Sequence, residues 1–391
     1  MKFLLIYVPN LRFNQFNSEW ERKSIGDLIN EVKEYTSSFE KYPLYSFTIE
    51  SGVTPKTERY ERNFLVKKDG DLFKVVHPNN FVMNPMNLRF GAINYSKQTI
   101  DVSVSGYYDI FEIDNSNYND FWNAYFKAPQ TINTYNSIAT GSLVEKKRVH
   151  FSQLKSLKFY LPSNDEKEKI NSFIKLLDDR ISVQIKIIND LVLQKKCIIS
   201  SLLKSVQDNE KIMLKDILFD YNIKTTINNE YPVLSSTASG MYLQSEYFNK
   251  EASSDNTIGY KIIPRGYCTY RSMSDTGLFT FNMQELVEKG IVSPAYPVFS
   301  ANDDYINEFI ILYLNNSSYI KKQILELKSG GTRFALPFST LCTLKIPKLD
   351  KEKQLSLIKT ITAFERKIEN EEMILKALHQ QKNFLLNNMF I

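Results

Sequence analysis

Histidine and cysteine have the widest range of catalytic and metal chemistry, and this chain contains few of either. In 391 residues there are three of each: His77, His150, His379, Cys197, Cys268 and Cys342. No two of them stand at a metal-ligand spacing, and no histidine neighbours an evident nucleophile. The sequence also lacks a Gly-Lys-Ser or Gly-Lys-Thr phosphate loop and a spaced-glycine dinucleotide fingerprint. We therefore predict a chain that is not an enzyme by itself and that holds no metal.

Two short patterns are similar to fragments of known catalytic sites. Residues 84–87, Asn-Pro-Met-Asn, lack the second proline and the aromatic residue of the Asn-Pro-Pro-aromatic motif that binds a target amine. Asp303 and Asp304, followed by Glu326-Leu327-Lys328, match part of a nuclease metal site. Patterns of so few residues arise often by chance. We assign a catalytic role to neither.

The composition indicates a folded protein of two to three domains. Hydrophobic residues make up 43% of the chain, and 49 basic against 44 acidic residues give a net charge of +5. That charge permits a nucleic-acid partner without demanding one. The odd number of scattered cysteines suits a reducing compartment. The apolar run at residues 1–8 ends at Pro9 without a cleavage site, so we expect a strand there rather than a signal peptide, and a cytoplasmic protein.

The chain contains an internal repeat. Residues 151–159, Phe-Ser-Gln-Leu-Lys-Ser-Leu-Lys-Phe, align without a gap on residues 338–346, Phe-Ser-Thr-Leu-Cys-Thr-Leu-Lys-Ile. The globular parts before them repeat as well, as in Tyr-Pro-Leu-Tyr-Ser at 42–46 and Tyr-Pro-Val-Leu-Ser at 231–235. The sequence therefore predicts two related halves.

A heptad pattern follows each copy of the Phe-Ser motif, with seam positions advancing by three and four residues in alternation. Such a pattern predicts one long helix in each half, with the seam of a coiled coil. The first seam consists of Ile174, Leu177, Ile181, Gln184, Ile188, Leu191, Lys195, Ile198 and Leu202. The second consists of Ile361, Phe364, Ile368, Glu371, Leu375, Leu378, Lys382, Leu385 and Met389.

The polar seam positions predict the direction of pairing. In a parallel pair, Lys195 would face Lys382 inside an apolar seam. In an antiparallel pair, Lys195 lies opposite Glu371 and Gln184 lies opposite Lys382, which satisfies all four polar residues. We predict the antiparallel pair; the alternative is two helices packed separately, each on its own domain.

Short runs rich in Val, Ile, Tyr and Phe, separated by Pro, Gly and Asn, predict strands in the globular parts. Helices are expected at residues 121–134 and 308–327. The fold class is therefore α+β: two homologous globular domains separated by two long antiparallel helices of about 60 Å each, related by an approximate twofold axis. We expect domain boundaries that give segments 1–150, 151–207, 208–337 and 338–391.

The ordered, twice-repeated set of motifs resembles the specificity subunit of type I restriction-modification systems, over nearly the whole chain. The matching features include Val8-Pro9-Asn10-Leu11-Arg12-Phe13, the run Ile25-Gly26-Asp27-Leu28 after Trp20, the Val-Ser-Pro-Ala-Tyr segment at 292–296 and the Phe-Ser motif before each helix. The resemblance implies that residues 1–150 and 208–337 are target recognition domains, each reading one half of an asymmetric bipartite site in double-stranded DNA.

The same resemblance implies partners and cofactors. Two modification subunits would methylate adenine with S-adenosylmethionine, and restriction subunits would use ATP and magnesium for translocation and cleavage, while this chain binds no cofactor. The helices would be the spacer and the docking surface. A structural coiled-coil scaffold and an enzyme with an unrecognised site are the alternatives.

Discrimination of base edges favours Arg, Lys, Asn and Gln, and phosphate contacts favour Lys, Arg and hydroxyls. The cations that we expect in DNA-contacting loops are Lys56, Arg59, Arg62 and Arg89 in the first half, and Lys250, Arg265, Arg271 and Arg333 in the second. For each of them, an ordinary exposed cation is the alternative interpretation.

Overall fold

The computed structural model describes residues 7–56, 72–114, 116–143, 147–247, 256–327 and 334–391. Most of the strand predicted at residues 1–8 lies outside these ranges. The chain forms two units: the first comprises residues 1–185 and 373–391, and the second comprises residues 186–372. These units differ from the four predicted segments, because each includes one part of each long helix.

The strands of the first unit form a four-stranded sheet, a three-stranded sheet and two strand pairs, in the orders β2-β10-β7-β8, β3-β6-β9, β4-β5 and β1-β11. Their bounds are β1 Glu21–Ser24, β2 Ile29–Glu31, β3 Tyr35–Thr36, β4 Tyr45–Thr48, β5 Gly52–Pro55, β6 Phe73–Val76, β7 Phe81–Met83, β8 Ile93–Tyr95, β9 Val102–Ser105, β10 Asp109–Ile113 and β11 Lys158–Leu161. The helices of the first half are α1 Asn119–Lys127, α2 Pro129–Ile138, α3 Phe151–Ser156 and the long α4 Asn164–Ser205.

The second unit repeats this plan. Its four-stranded sheet has the order β13-β21-β17-β19, and its strand pairs are β14-β15, β16-β20, β12-β23 and β18-β22. The strands are β12 Lys211–Met213, β13 Leu218–Asp220, β14 Leu234–Thr237, β15 Gly240–Leu243, β16 Lys261–Pro264, β17 Cys268–Tyr270, β18 Met273–Ser274, β19 Phe281–Met283, β20 Lys289–Val292, β21 Val298–Ala301, β22 Phe334–Ala335 and β23 Lys345–Pro347. The helices are α5 Gln244–Tyr247, α6 Asn307–Asn316, α7 Ser318–Glu326, α8 Phe338–Leu341 and the long α9 Lys351–Met389.

An aromatic core fixes the four-stranded sheet of the first unit against α1. Phe81 of β7 lies directly opposite Phe111 of β10 in the ladder, and their rings stack at 5.3 Å. Phe126 of α1 meets Phe81 edge to face at 5.6 Å. All three side chains are fully buried, and such pairs add to the stabilisation that burial provides. The sheet and α1 therefore form a rigid base for the loops and hairpin around them.

Each helix predicted between the sheet and the Phe-Ser motif is in fact two helices. The first breaks at Ala128, whose ψ of 142° is extended, because the residue before a proline avoids the helical region and Pro129 begins α2. The second breaks at Ser317, whose side chain caps α7 by accepting from the amide of Ile320. A proline in the first half and a capping serine in the second thus interrupt the longer hydrophobic pattern.

The two long helices pack antiparallel within each unit. In the first unit, Ile174 near the start of α4 and Leu385 near the end of α9 share one hydrophobic cluster. In the second unit, Leu203 near the end of α4 and Leu357 near the start of α9 share another. The predicted fold class, α+β with two homologous globular parts and two long antiparallel helices, is confirmed.

Every side chain of the two predicted seams is buried or half-buried, but the ion pairs differ from those predicted. Lys195 contacts Glu365 at 3.2 Å, and Lys382 contacts Asp178. We predicted Glu371 as the partner of Lys195 and Gln184 as the partner of Lys382, and each of these lies six residues after the partner in the structure. The heptad pattern determines which face of each helix is buried. Sliding one helix along the other by nearly two turns leaves that face buried. The register between the two helices therefore depends on contacts that the pattern does not contain.

Candidate nucleic-acid interface

Each unit carries a short hairpin beside its four-stranded sheet. In the first unit, β4 and β5 pair from Tyr45 to Pro55, and the tip comprises residues 48–52. In the second, β14 and β15 pair from Leu234 to Leu243 with a tip at residues 237–240. Gly52 closes the first tip with φ of +66°, and a Cβ there would lie 3.0 Å from the side chain of Asn94. The chain at this turn therefore requires glycine.

An asparagine on the adjacent strand holds each hairpin tip. Asn94 of β8 donates its amide hydrogens to the carbonyls of Thr48 at 3.4 Å and Ile49 at 3.1 Å. Asn282 of β19 donates to the hydroxyl of Ser236 at 2.8 Å and the carbonyl of Thr237 at 2.9 Å. Both asparagines stand on the same strand of the repeated sheet. The hairpin is thus fixed to the sheet by side-chain hydrogen bonds in both units.

A groove of about 500 Å³ lies beside the hairpin of the second unit. Its walls are the hairpin tip and the loop from Arg271 to Thr280, with Tyr296 beside them. The lining carries the guanidinium of Arg271, the carboxylate of Asp275, three large apolar side chains, Met273, Leu278 and Phe279, and a set of hydroxyls: Ser235, Ser236, Thr237, Ser274, Thr276 and Thr280. These groups match the edges of bases and the oxygens of phosphates, because they include donors, acceptors and apolar surface.

A second cleft, in the first unit, has a volume of about 370 Å³ and a charged lining, and it lies between the hairpin, α1 and the long helices rather than beside the loop that follows β7. Lys97 lies 3.8 Å from Asp120, and Lys382 contacts Asp178. Lys127, at the end of α1, donates to the side-chain oxygen of Asn94. Burial, with a smaller repulsion from Lys382, lowers the pKa of Lys127 to about 8. The two clefts therefore lie at different places around the repeated hairpin and also differ in chemistry.

The predicted DNA-contacting cations have different surroundings. Arg271 is exposed in the groove of the second unit, and Lys56 is half-buried just after β5 of the first hairpin. Arg265 is exposed at the turn after β16 and forms an ion pair with Glu288 at 2.9 Å. The remaining predicted cations other than Arg89, namely Arg59, Arg62, Lys250 and Arg333, lie outside the described residues.

Contrary to our prediction, Arg89 does not lie in an exposed loop. It belongs to a 3-10 helix, Leu88–Phe90, and is only 9% exposed. Its guanidinium lies 5.1 Å from the ring of Phe90, which is 62% exposed. The residues that sequence reasoning missed are Asn94, Asn282 and Lys127. The repeat itself contained the signal for the two asparagines, since they fall at corresponding positions of the two sheets.

His77 joins three strands of the first unit. At the end of β6, its Nδ1 lies 2.8 Å from Asp101 and its Nε2 lies 2.9 Å from Glu34. Burial lowers the pKa of His77, but the hydrogen bonds to Asp101 and Glu34 together outweigh it, so the pKa lies above the usual value of the imidazole. Because Glu34 directly precedes β3 and Asp101 precedes β9, this cluster ties the ends of one sheet together.

A second candidate interface is the surface of the long helices. On the parts that belong to the first unit, four apolar side chains are more than half exposed: Leu176, Val183, Met373 and Phe384. Large exposed apolar side chains grouped on helices are typical of surfaces that bind another protein.

Within the described ranges, no group of three or more His, Cys, Asp or Glu residues is arranged to hold a metal ion. The helices in those ranges include none that is both long and apolar enough to cross a membrane.

No protein family model matches the sequence. Among solved structures, a chain from a study of complex assembly and conformational transition in the type I restriction-modification system shares 10% identity with a TM-score of 0.59, over 95% of this chain and 97% of that one. The S subunit of the type I restriction-modification system from M. genitalium shares 15% identity with a TM-score of 0.49, over 98% and 99%. The HsdS subunit from Thermoanaerobacter tengcongensis shares 12% identity with a TM-score of 0.49, over 95% and 96%. At these identities, the first of the three similarities shows a common fold.

Proposed function

We propose that this chain is the DNA-recognition subunit of a type I restriction-modification complex, and that each unit reads one half of an asymmetric bipartite site. The observation that carries the proposal is the repeated sheet and hairpin, present in both units with different side chains around the hairpin. Two copies of one scaffold suit two half-sites. Their different polar groups suit two different base sequences, since base identity is read by side-chain donors, acceptors and apolar contacts.

In the second unit, Arg271 is the strongest candidate for a base contact. A guanidinium binds both acceptors of a guanine in the major groove, and the neighbouring hydroxyls suit phosphates or base edges. In the first unit, Lys56 directly follows the hairpin, and Arg59 and Arg62 come a few residues later in the sequence, so these three cations stay candidates there. Lys250, Arg265 and Arg333 stay candidates for the second unit, whereas the burial of Arg89 favours a structural role for it.

We infer that the reaction chemistry belongs to partner subunits. Two modification subunits would carry S-adenosylmethionine and methylate adenine, and restriction subunits would carry ATP and magnesium. The exposed apolar side chains on the long helices support docking of such partners there. Residues 1–150 and 208–337 would be the two target recognition domains, with residues 151–207 and 338–391 between and after them, and the complex would act in the cytoplasm.

The proposal is tested by sequencing the methylated adenines of cells with and without this chain, together with its modification partner. We expect one split, asymmetric motif that appears only when the chain is present. Replacing residues 1–150 with those of a relative should change one half of that motif. Methylation of the same motif in cells without this chain would contradict the proposal. A change in both halves of the motif after the exchange would contradict it too. The purified chain alone should neither methylate nor cleave DNA.

A further inference from the structure

Two polar contacts line one cleft of the first unit, between the long helices and the tip of the hairpin. Lys382 of α9 contacts Asp178 of α4, and both line the same cleft as Lys127. Lys127 donates to the side-chain oxygen of Asn94, and the Asn94 amide donates to the two carbonyls of the tip at 3.4 and 3.1 Å. Asn94 is only 8% exposed. Its carboxamide therefore has these protein groups as its immediate surroundings.

The ammonium of Lys127 and the two carbonyls of the tip together determine which way this carboxamide points. A carboxamide can rotate by half a turn and exchange its oxygen with its nitrogen, but an ammonium is only a donor. It therefore faces the oxygen, and the amide nitrogen is directed to the carbonyls of Thr48 and Ile49. In the opposite orientation, the amide oxygen would face two carbonyl oxygens and the ammonium would face an amide donor.

The second unit holds its hairpin in another way. The residue that corresponds to Lys127 in the repeat, at the same place in α6, is Asn315. It accepts from the amide of Phe281 at 2.9 Å and donates to the carbonyl of the same residue at 2.8 Å. Asn282 in turn bonds the hydroxyl of Ser236, which is part of the hairpin itself. In both units a backbone carbonyl of the tip accepts from the asparagine, and the first unit adds the ammonium of Lys127 on the amide oxygen.

We propose that Lys127 is a positioning residue for recognition of one half-site: by fixing the carboxamide of Asn94, it holds the tip at residues 48–52 in the orientation that reads DNA. The second unit has no lysine at the corresponding position, so the other half-site does not depend on this contact. The inference rests on the proposed function, since it assigns the two half-sites to the two hairpins.

The test measures binding of the full chain with its modification partner to short duplexes that carry the target motif or single-base substitutions in either half. Lys127→Met keeps the aliphatic stem and removes the charge. Because one well-placed base contact discriminates by roughly 5- to 150-fold, we expect discrimination in one half of the motif to fall by about tenfold and that in the other half to stay unchanged. Lys127→Arg, which also presents only donors, should restore discrimination.

The matched control is Lys158→Met, an exposed lysine of β11 in the same unit that lines neither cleft. It should leave discrimination in both halves as it is. Asn94→Ser, which removes the carboxamide but keeps Lys127, should reproduce the loss in the same half, and thermal unfolding identifies the variants that are folded. Equal losses in both halves, or full discrimination in folded Lys127→Met and Asn94→Ser, would overturn the proposal. A wild-type complex that does not distinguish the duplexes would instead refute the proposed function in DNA recognition.

Discussion

The ion pair between Arg12 and Glu166 should be one of the main supports of the first unit. Arg12 donates two hydrogen bonds to Glu166, at 2.7 and 2.6 Å, and the indole of Trp20 donates a third at 3.2 Å. The side chain of Glu166 is 1% exposed, and that of Arg12 is 12% exposed. The contact fastens the segment before β1 to the first turn of α4. Glu166→Ala would leave a guanidinium and an indole N–H without their acceptor in a nearly dry site.

Breaking a buried pair by removing one partner costs about 3 to 5 kcal/mol. For a unit of about 200 residues, each kcal/mol lowers the melting temperature by about 2 to 4 °C, so the expected decrease is roughly 6 to 20 °C. Replacing both partners with apolar residues costs much less than breaking the pair. The double variant Arg12→Met with Glu166→Met should therefore recover most of the stability that Glu166→Ala loses.

The chain provides its own probe for this measurement. Both tryptophans, Trp20 and Trp122, are buried in the core of the first unit, so tryptophan fluorescence during urea unfolding reports on that unit. Glu168→Ala, an exposed position one residue beyond Lys167 on the same helix, is the control and should change stability by less than about 0.5 kcal/mol. A decrease below about 1 kcal/mol for Glu166→Ala, or one equal to that of Glu168→Ala, would refute the assigned role.

Three further outcomes can be measured. Because its pKa is raised in the folded state, His77 stabilises the first unit fully below about pH 6.5, and this stabilisation is lost as the pH rises through the raised pKa; His77→Gln should remove that slope from urea unfolding curves, and an unchanged slope would contradict the assignment. Lys195→Glu and Glu365→Lys should each destabilise the second unit by up to about 1 kcal/mol, because the pair is partly exposed, and the double swap should restore stability at low salt; failure of the double swap to do so would exclude a direct pairing. Phe384→Ser should weaken capture of the modification subunit at least tenfold without changing thermal unfolding, and undiminished capture would place the docking surface elsewhere.

Several features could be predicted because they depend on local spacing. The repeat predicted two related sheets, which have the same strand order, and the advance of three and four residues marked positions that are buried or half-buried on both long helices. The helices predicted at 121–134 and 308–327 were each too long, although Pro129 was a visible stop signal. The prediction that Arg89 lies in an exposed loop was wrong. The residues next to a cation in the sequence do not show whether a helix from elsewhere in the chain covers it.

The amino-acid sequence by itself determined the duplication and the α+β class, since repeats and periodicity are properties of the chain. It also predicted the antiparallel direction of the helices, although from partners for Lys195 and Lys382 that differ from those in the structure. Only the tertiary structure decided that Lys195 meets Glu365 and that Lys382 meets Asp178, because register between distant helices depends on everything that packs around them. The same holds for the contact from Lys127 through Asn94 to the hairpin tip. These residues are more than thirty positions apart along the chain, and no local pattern relates a side-chain oxygen to a cation at that distance.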